Sequence, residues 1–263
     1  MRVTVCQLPD DLPALERSWA GLTEHTRSQA SELVLLPELP FHPWLAATRE
    51  VDADLWAESV AGHRRWSERL AELAVSWVVG TRPVVDGSGR FNEGFVWSRA
   101  DDAEVAVHRK RYLPDEPGFW EASWYTQGPR KFVPYRAEGW SLGFAICTEI
   151  WFTEHARRYG QQGVQLLVCP RATLAPSVDK WLAGGRAAAV VSGAYCLSSN
   201  RSGRALGDAG GELGDWGGLG WIVEPEEGEV LGTTSEDAPF LTLDLDLAVA
   251  DAAKTTYPRY VRD

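Results

Sequence analysis

Apolar and polar positions along this chain change period repeatedly, and the changes divide it into alternating strands and helices. Val3 to Leu8 reads as a strand, Leu12 to Ala30 as an amphipathic helix and Leu33 to Leu36 as a second strand. Val51 to Ala74 is predicted as one long helix with Leu55, Trp56, Val60, Leu70 and Leu73 on its apolar side. Strands follow at Trp77 to Val85 and Phe91 to Ser98, and Asp86-Gly87-Ser88-Gly89 between them is a hairpin turn. An alternating run from Val105 leads to Lys110. Further on, Leu142, Phe144 and Ile146 alternate with small residues as a buried strand does, and Glu154, His155, Arg157 and Arg158 read as a solvated helix. Val164 to Cys169 is then a strand, Val178 to Val191 a helix and Ala194 to Ser199 a strand. Trp221 to Glu224 and Val230 to Thr233 make a hairpin around Glu226-Glu227-Gly228, and Phe240 to Leu245 is the last strand. Thr255 to Asp263 is polar and aromatic without either period.

Every strand in this pattern reads as at least half buried, which predicts an α/β fold of two mixed sheets packed face to face with helices outside. No linker, low-complexity tract or composition shift divides the 263 residues, so a single domain over residues 1–263 is expected, long enough to bury a substantial core. Lys and Arg number 26 against 37 Asp and Glu, and the net charge of -11 argues against nucleic acid as a partner and favours neutral or cationic ligands. The four cysteines lack metal-ligand spacing, and Cys6, Cys169 and Cys196 lie inside apolar runs where packing is their expected role. Neither a metal nor another cofactor is expected. The start of the chain lacks the long apolar core of a signal peptide, and no run approaches the ~18 apolar residues of a membrane span. A reducing cytoplasm is therefore the expected location, where a thiol can work.

Three residues with chemical capacity sit where strands stop. Leu33 to Phe41, LVLLPELPF, is broken by proline on both sides of Glu38, and Lys110 follows the run at Val105. Cys147 ends an apolar run that passes within a few residues into a helical pattern, the arrangement of a nucleophile elbow. Singly, each has a plainer reading: an exposed loop carboxylate, one charge of the basic run His108 to Arg111, and a small hydrophobe in the core. Together they give a carboxylate, an ammonium and a thiol, which amide hydrolysis through a thioester requires.

The ordered motifs PELPF, HRKRYLPDEPGFWE and GFAICTEIWFTEHAR resemble those of the nitrilase, or carbon-nitrogen hydrolase, superfamily, and the likeness extends from VTVCQL at Val3 through SSNRSG at Ser198 to GWIVEPEEGEVLG. The resemblance implies a Glu38, Lys110 and Cys147 triad, with Glu121 positioning the lysine. It also implies a four-layer α-β-β-α sandwich and a homodimer whose layers continue across the subunits. Thr153 stands where the family usually has proline, and Glu149 fills the acidic position after the cysteine. Those departures bear on substrate and helix start. Glu38 would serve as general base and acid, while the Thr148 amide and the Lys110 ammonium would hold an oxyanion. Lys110 and the helix opening after Cys147 could lower the thiol pKa from ~8.5.

The substrate is less sharply drawn. Phe41, Trp120, Trp124 and Trp151 flank the triad motifs and are candidate pocket residues, although core packing is equally open to them. Arg171 could meet a substrate carboxylate or pair with an internal acid such as Glu149. Glu116 is an alternative partner for Lys110, or a pocket residue. Thr148, Glu149, Ile150 and Trp151 occupy positions where relatives acting on N-carbamoyl amino acids commonly carry arginine, which disfavours an anionic substrate. The motifs resemble those of N-carbamoylputrescine amidohydrolases, so a small neutral or amine-bearing amide or ureido compound is expected. The rivals are a nitrilase acting through a thioimidate, a non-catalytic binding protein that kept the fold, and glutamine-dependent amide transfer with a partner synthetase.

Overall fold

The first strand, β1 (Arg2–Pro9), pairs with strands from both halves of the chain, and the fold is built outward from it. In this computed structural model, which describes residues 1–206 and 211–261, the elements of the first half are α1 (Leu12–Ser28), β2 (Leu33–Leu35), α2 (Ala53–Ser67), β3 (Trp77–Asp86), β4 (Gly89–Ser98), β5 (Ala103–Arg109) and α3 (Glu121–Trp124). The second half contributes β6 (Tyr135–Ala137), β7 (Trp140–Phe144), α4 (Thr153–Gln161), β8 (Leu166–Pro170), α5 (Val178–Ser192) and β9 (Tyr195–Ser202). It closes with β10 (Arg204–Leu206), β11 (Glu212–Asp215), β12 (Trp221–Val223), β13 (Val230–Thr233), β14 (Phe240–Asp244) and α6 (Leu247–Ala253).

Residues Val3 to Val5 of β1 pair in parallel with β2, and Arg2 to Cys6 pair antiparallel with β14. Gln7 to Pro9 pair in parallel with Asn200 to Ser202 of β9. The hydrogen-bonded order is β5-β4-β3-β2-β1-β9-β8-β7-β6, so two mixed groups of strands form one twelve-stranded network joined at β1 and β9. The expectation of two sheets missed that junction, because period reports burial and not which strands pair.

Three hydrophobic clusters account for the placement of strands and helices. Val3, Val5, Leu35 and Val79 meet Leu142, Phe144, Leu166 and Leu197 in one of them. Leu15, Trp19 and Leu22 of α1, with Trp66 and Leu70, cover Val34, Val78 and Phe95 in the second. Tyr159 of α4 and Ala188 and Ala189 of α5 cover Leu167, Cys169 and Trp221 in the third. Each large aliphatic or aromatic side chain so buried contributes about 1.5–3 kcal/mol relative to exposure. The α/β class read from the sequence is borne out.

Three local differences bear on the site. The long helix predicted over Val51 to Ala74 stops at Ser67 and resumes as a 3-10 turn, Leu70–Leu73, which lets Leu70 and Leu73 both reach the core. The strand before Cys147 ends at Phe144, and Cys147–Trp151 is a 3-10 turn that precedes α4, so the cysteine does not open an α-helix directly. His155, expected in solvent, is buried: its ring stacks on Phe132 with centroids 3.6 Å apart and its Nε2 meets the Tyr112 hydroxyl at 2.8 Å. Gly143 is required where α4 crosses β7, since a Cβ there would lie 2.7 Å from the Tyr159 ring. The end of the polar tail, residues 262 and 263, lies outside the described residues.

Candidate active site

Glu38 sits in the turn after β2, between Pro37 and Pro40, and that turn is pinned from several directions. Its N–H donates to the Arg171 carbonyl at 3.2 Å, its carbonyl accepts from Arg201 Nε at 3.1 Å, and the N–H of Leu39, at a φ of 46°, donates to Thr81 Oγ1 at 2.7 Å. The Arg201 guanidinium is itself buried and paired with Asp10. The Glu38 side chain is fully buried. Its Oε1 accepts from Lys110 Nζ at 2.7 Å and from Asn92 Nδ2 at 2.7 Å, while Oε2 has no hydrogen-bond partner among the described residues.

Lys110 follows β5, and its backbone N–H donates to the Asn92 carbonyl at 2.9 Å, so the hairpin strand β4 sets its register. Its ammonium also donates to Glu121 Oε1 at 2.8 Å, with Oε2 2.7 Å away. Glu121 is the residue that sits on Lys110, and Glu116 is not. Burial alone would lower the Lys110 pKa, but Glu121, Glu38 and Cys147 together raise it well above its ordinary value, so the ammonium stays charged. Burial pushes Glu121 up to about 8, against the pull of Lys110 and with a push from Glu38.

Cys147 occupies the left-handed region at a φ of 48°, a conformation that costs a non-glycine residue about 1–3 kcal/mol and persists only where its surroundings enforce it. It is 4% exposed. Burial raises its thiol pKa, the Glu38 carboxylate adds to the rise, and Lys110 and the Ala172 amide that hydrogen-bonds the sulfur oppose it. The direction is opposite to the lowering expected from the lysine and the helix start, because desolvation outweighs one cation. The resting group is a thiol that needs a base.

A cavity of about 270 Å³ opens onto Cys147 and Thr148. Phe119, Leu174 and Trp181 give it apolar walls, and Glu116 and Lys180 are its exposed charged ones. Of the residues named from sequence, Glu116, Glu121, Cys147 and Thr148 line this cavity. Thr148 lies in the first turn of the 3-10 segment, where amides have no intrahelical acceptor.

The other candidates lie elsewhere. Phe41 stacks on Trp66 with centroids 5.1 Å apart under α1 and α2. Trp124 is buried and donates from Nε1 to the Thr48 carbonyl at 2.7 Å. The Trp120 ring lies beneath the Arg49 guanidinium, and Trp151 packs on Trp181 with centroids 5.2 Å apart but does not itself line the cavity. Arg171 is fully buried over the Trp221 ring and spends its donors on Ser198 Oγ, Thr173 Oγ1 and the Leu219 carbonyl, so it reaches neither the cavity nor Glu149. Glu149 is buried and accepts from the Arg111 and Ile146 amides and from His108, which leaves it no face toward a ligand. Among the described residues no group of three or more His, Cys, Asp or Glu is arranged to hold a metal ion.

The carbon-nitrogen hydrolase family model matches residues 2–255. This chain belongs to that family. The N-carbamoylputrescine amidase of Arabidopsis thaliana is 32% identical to it over 83 residues, which is 32% of this chain but only 28% of that relative. The omega-amidase NIT2 of Bos taurus is 29% identical over 237 residues, covering 86% of this chain and 81% of its own. The crystal structure of a carbon-nitrogen hydrolase from Helicobacter pylori G27 superposes with a TM-score of 0.86 at 22% identity, over 99% of this chain and 94% of that one.

Several residues of this candidate site carried no usable signal in the sequence. Asn92, which donates to Glu38, is one of three polar residues in the run FNEGFVWS, beside Glu93 and Ser98, and nothing local sets it apart from them. His108, hydrogen-bonded to Glu149, is masked by the neighbouring basic residues. Lys180 and Trp181 reach the cavity from α5, far from the motifs in sequence.

Proposed function

We propose that this chain hydrolyses the C–N bond of a small neutral or amine-bearing amide or N-carbamoyl compound through a thioester on Cys147. The observation that carries the proposal is the Glu38 carboxylate: one oxygen is occupied by Lys110 and Asn92, and the other is buried without a hydrogen-bond partner, in a site whose charges act directly on Cys147. Glu38 takes the thiol proton as sulfur attacks the carbonyl carbon. The Lys110 ammonium and the Thr148 amide hold the resulting oxyanion, and Glu121 keeps Lys110 in place. Collapse breaks the C–N bond, Glu38 returns the proton to the leaving nitrogen, and ammonia departs. Glu38 then takes a proton from water, which attacks the thioester carbonyl and releases the acid with the thiol restored.

The cavity supports the substrate class. Its apolar walls suit an uncharged chain, and Glu116 is an accessible carboxylate that would meet an ammonium at the far end. Arg171 and Glu149 are committed inside the protein and have no place in substrate selection. Ammonia release by wild type and Cys147→Ala, measured on aliphatic amides, N-carbamoyl amines, N-carbamoyl amino acids and nitriles, tests the proposal. Turnover of amides or carbamoyl amines that vanishes in the variant is expected, with equimolar carbon dioxide marking a carbamoyl group. Hydrolysis of nitriles alone would replace this reading with the nitrilase one.

The same proposal includes the architecture and setting. Three of the hydrophobic clusters support a single four-layer α-β-β-α domain, with one core between strands and one under each pair of helices. A homodimer is supported by the exposed aromatic tail, where Tyr257 is 73% and Tyr260 60% accessible. A working thiol fits the reducing cytoplasm, and among the described residues no helix is long and apolar enough to cross a membrane.

A further inference from the structure

Glu149 is fully enclosed and does not line the cavity at Cys147, yet its two oxygens hold the two segments that carry Cys147 and Lys110. Oε2 accepts from the N–H of Ile146, the residue before Cys147, at 2.9 Å. Oε1 accepts from the N–H of Arg111, the residue after Lys110, at 2.6 Å. His108 Nε2–H bridges both oxygens, at 3.0 and 2.8 Å, and the imidazole is wedged against Phe132 with centroids 4.7 Å apart. The other backbone groups of Lys110 are fixed as well, its N–H to Asn92 and its carbonyl by the Gly128 amide at 2.8 Å.

We propose that Glu149 is a positioning residue that locks the turn carrying Cys147 to the segment carrying Lys110. The inference rests on the reading of Cys147 as the nucleophile. A nucleophile and the cation that stabilises its oxyanion must keep one mutual geometry, and displacement of about 1 Å costs rate steeply. The left-handed Cys147 backbone would relax unless held, and the bond from Ile146 to Glu149 holds it one residue upstream. A carboxylate suits this task because it accepts on both oxygens. An amide of the same size accepts on one and presents donors to the other backbone N–H.

That difference gives a test in which charge pattern and size make opposite predictions. Glu149→Gln preserves volume and loses an acceptor, whereas Glu149→Asp shortens the side chain and keeps both. We expect Glu149→Gln to lower kcat roughly 10- to 100-fold with KM within about threefold, because ground-state contacts to the substrate are untouched. Glu149→Asp should retain more activity than Glu149→Gln. Alkylation of Cys147 by chloroacetamide, followed by mass spectrometry of the cysteine peptide, should slow in Glu149→Gln in parallel. If Glu149→Gln does not fold, His108→Leu, which frees the carboxylate from its imidazole, should lower kcat with KM unchanged. Equal or better activity in Glu149→Gln than in Glu149→Asp, unchanged alkylation, or an unaffected kcat in His108→Leu would overturn the positioning role alone. A wild-type protein that neither releases ammonia nor alkylates at Cys147 would overturn the nucleophile reading beneath it.

Discussion

Lys110 Nζ donates to Glu38 Oε1 at 2.7 Å, and both side chains are sealed from solvent. The bond orients the carboxylate and occupies one of its oxygens, so the proposed mechanism assigns proton transfer to the other. Replacing Glu38 with Gln keeps the shape and removes the base. Glu38→Gln should lower ammonia release roughly 100- to 10,000-fold, the usual worth of a positioned general base. Initial rates over a substrate range check this, and Cys147 should remain open to slow alkylation in the variant.

Asn92 gives the Glu38 carboxylate its second donor, and a buried hydrogen bond to a charged group is worth about 1.5–3 kcal/mol. Asn92→Ala should therefore lower both the melting temperature and kcat. Thermal denaturation and kinetics on one preparation would show both changes, and loss of neither would mean that Lys110 alone sets the carboxylate.

The raised pKa of Glu121 ties stability to pH. Its folded pKa of about 8 lies above the ordinary value of 4.5, so the folded protein holds a proton there that the unfolded chain has already lost. This contribution is fully present below pH 4.5 and disappears as pH rises through 8. Glu121→Gln removes it, so the wild-type melting temperature should fall relative to the variant between those limits. Parallel melting curves across pH 5 to 9 check this, and a constant difference would contradict the assignment.

Glu116 is the accessible carboxylate of the cavity. Glu116→Gln should raise KM about 3- to 10-fold for amides with a distal ammonium, in line with ~1 kcal/mol for a solvent-exposed ion pair, and leave neutral amides unchanged. Paired KM measurements on amides of matched length decide it. Equal shifts in both would remove Glu116 from selectivity.

The parts legible in the sequence were those with a local cause. Proline on both sides of Glu38 and the end of the strand before Lys110 mark places where a chain must leave a sheet, and the structure brings both residues together. The strand at Trp77 and its hairpin partner follow from the Gly87 turn, which has a φ of 57°. Long-range partners were not legible. Phe41 lies next to the Glu38 turn in sequence but faces Trp19 and Trp66, because the chain reverses through Leu39, at a φ of 46°, between the two side chains. Arg171 and Glu149 look like ligand-binding charges until the groups that consume them are located, and the Leu219 carbonyl and the Arg111 amide among those come from distant segments. The direction of the Cys147 pKa depends on how deeply the thiol is buried, which no spacing reveals.

A thioester on Cys147 can be trapped by acid-quenching turnover and weighing the cysteine peptide by mass spectrometry. We expect a peptide containing Cys147 heavier by the acyl or carbamoyl group of the substrate, lost on standing at neutral pH, with no turnover by Cys147→Ala. Steady ammonia release by Cys147→Ala at the wild-type rate, with no adduct on the wild-type cysteine, would contradict it.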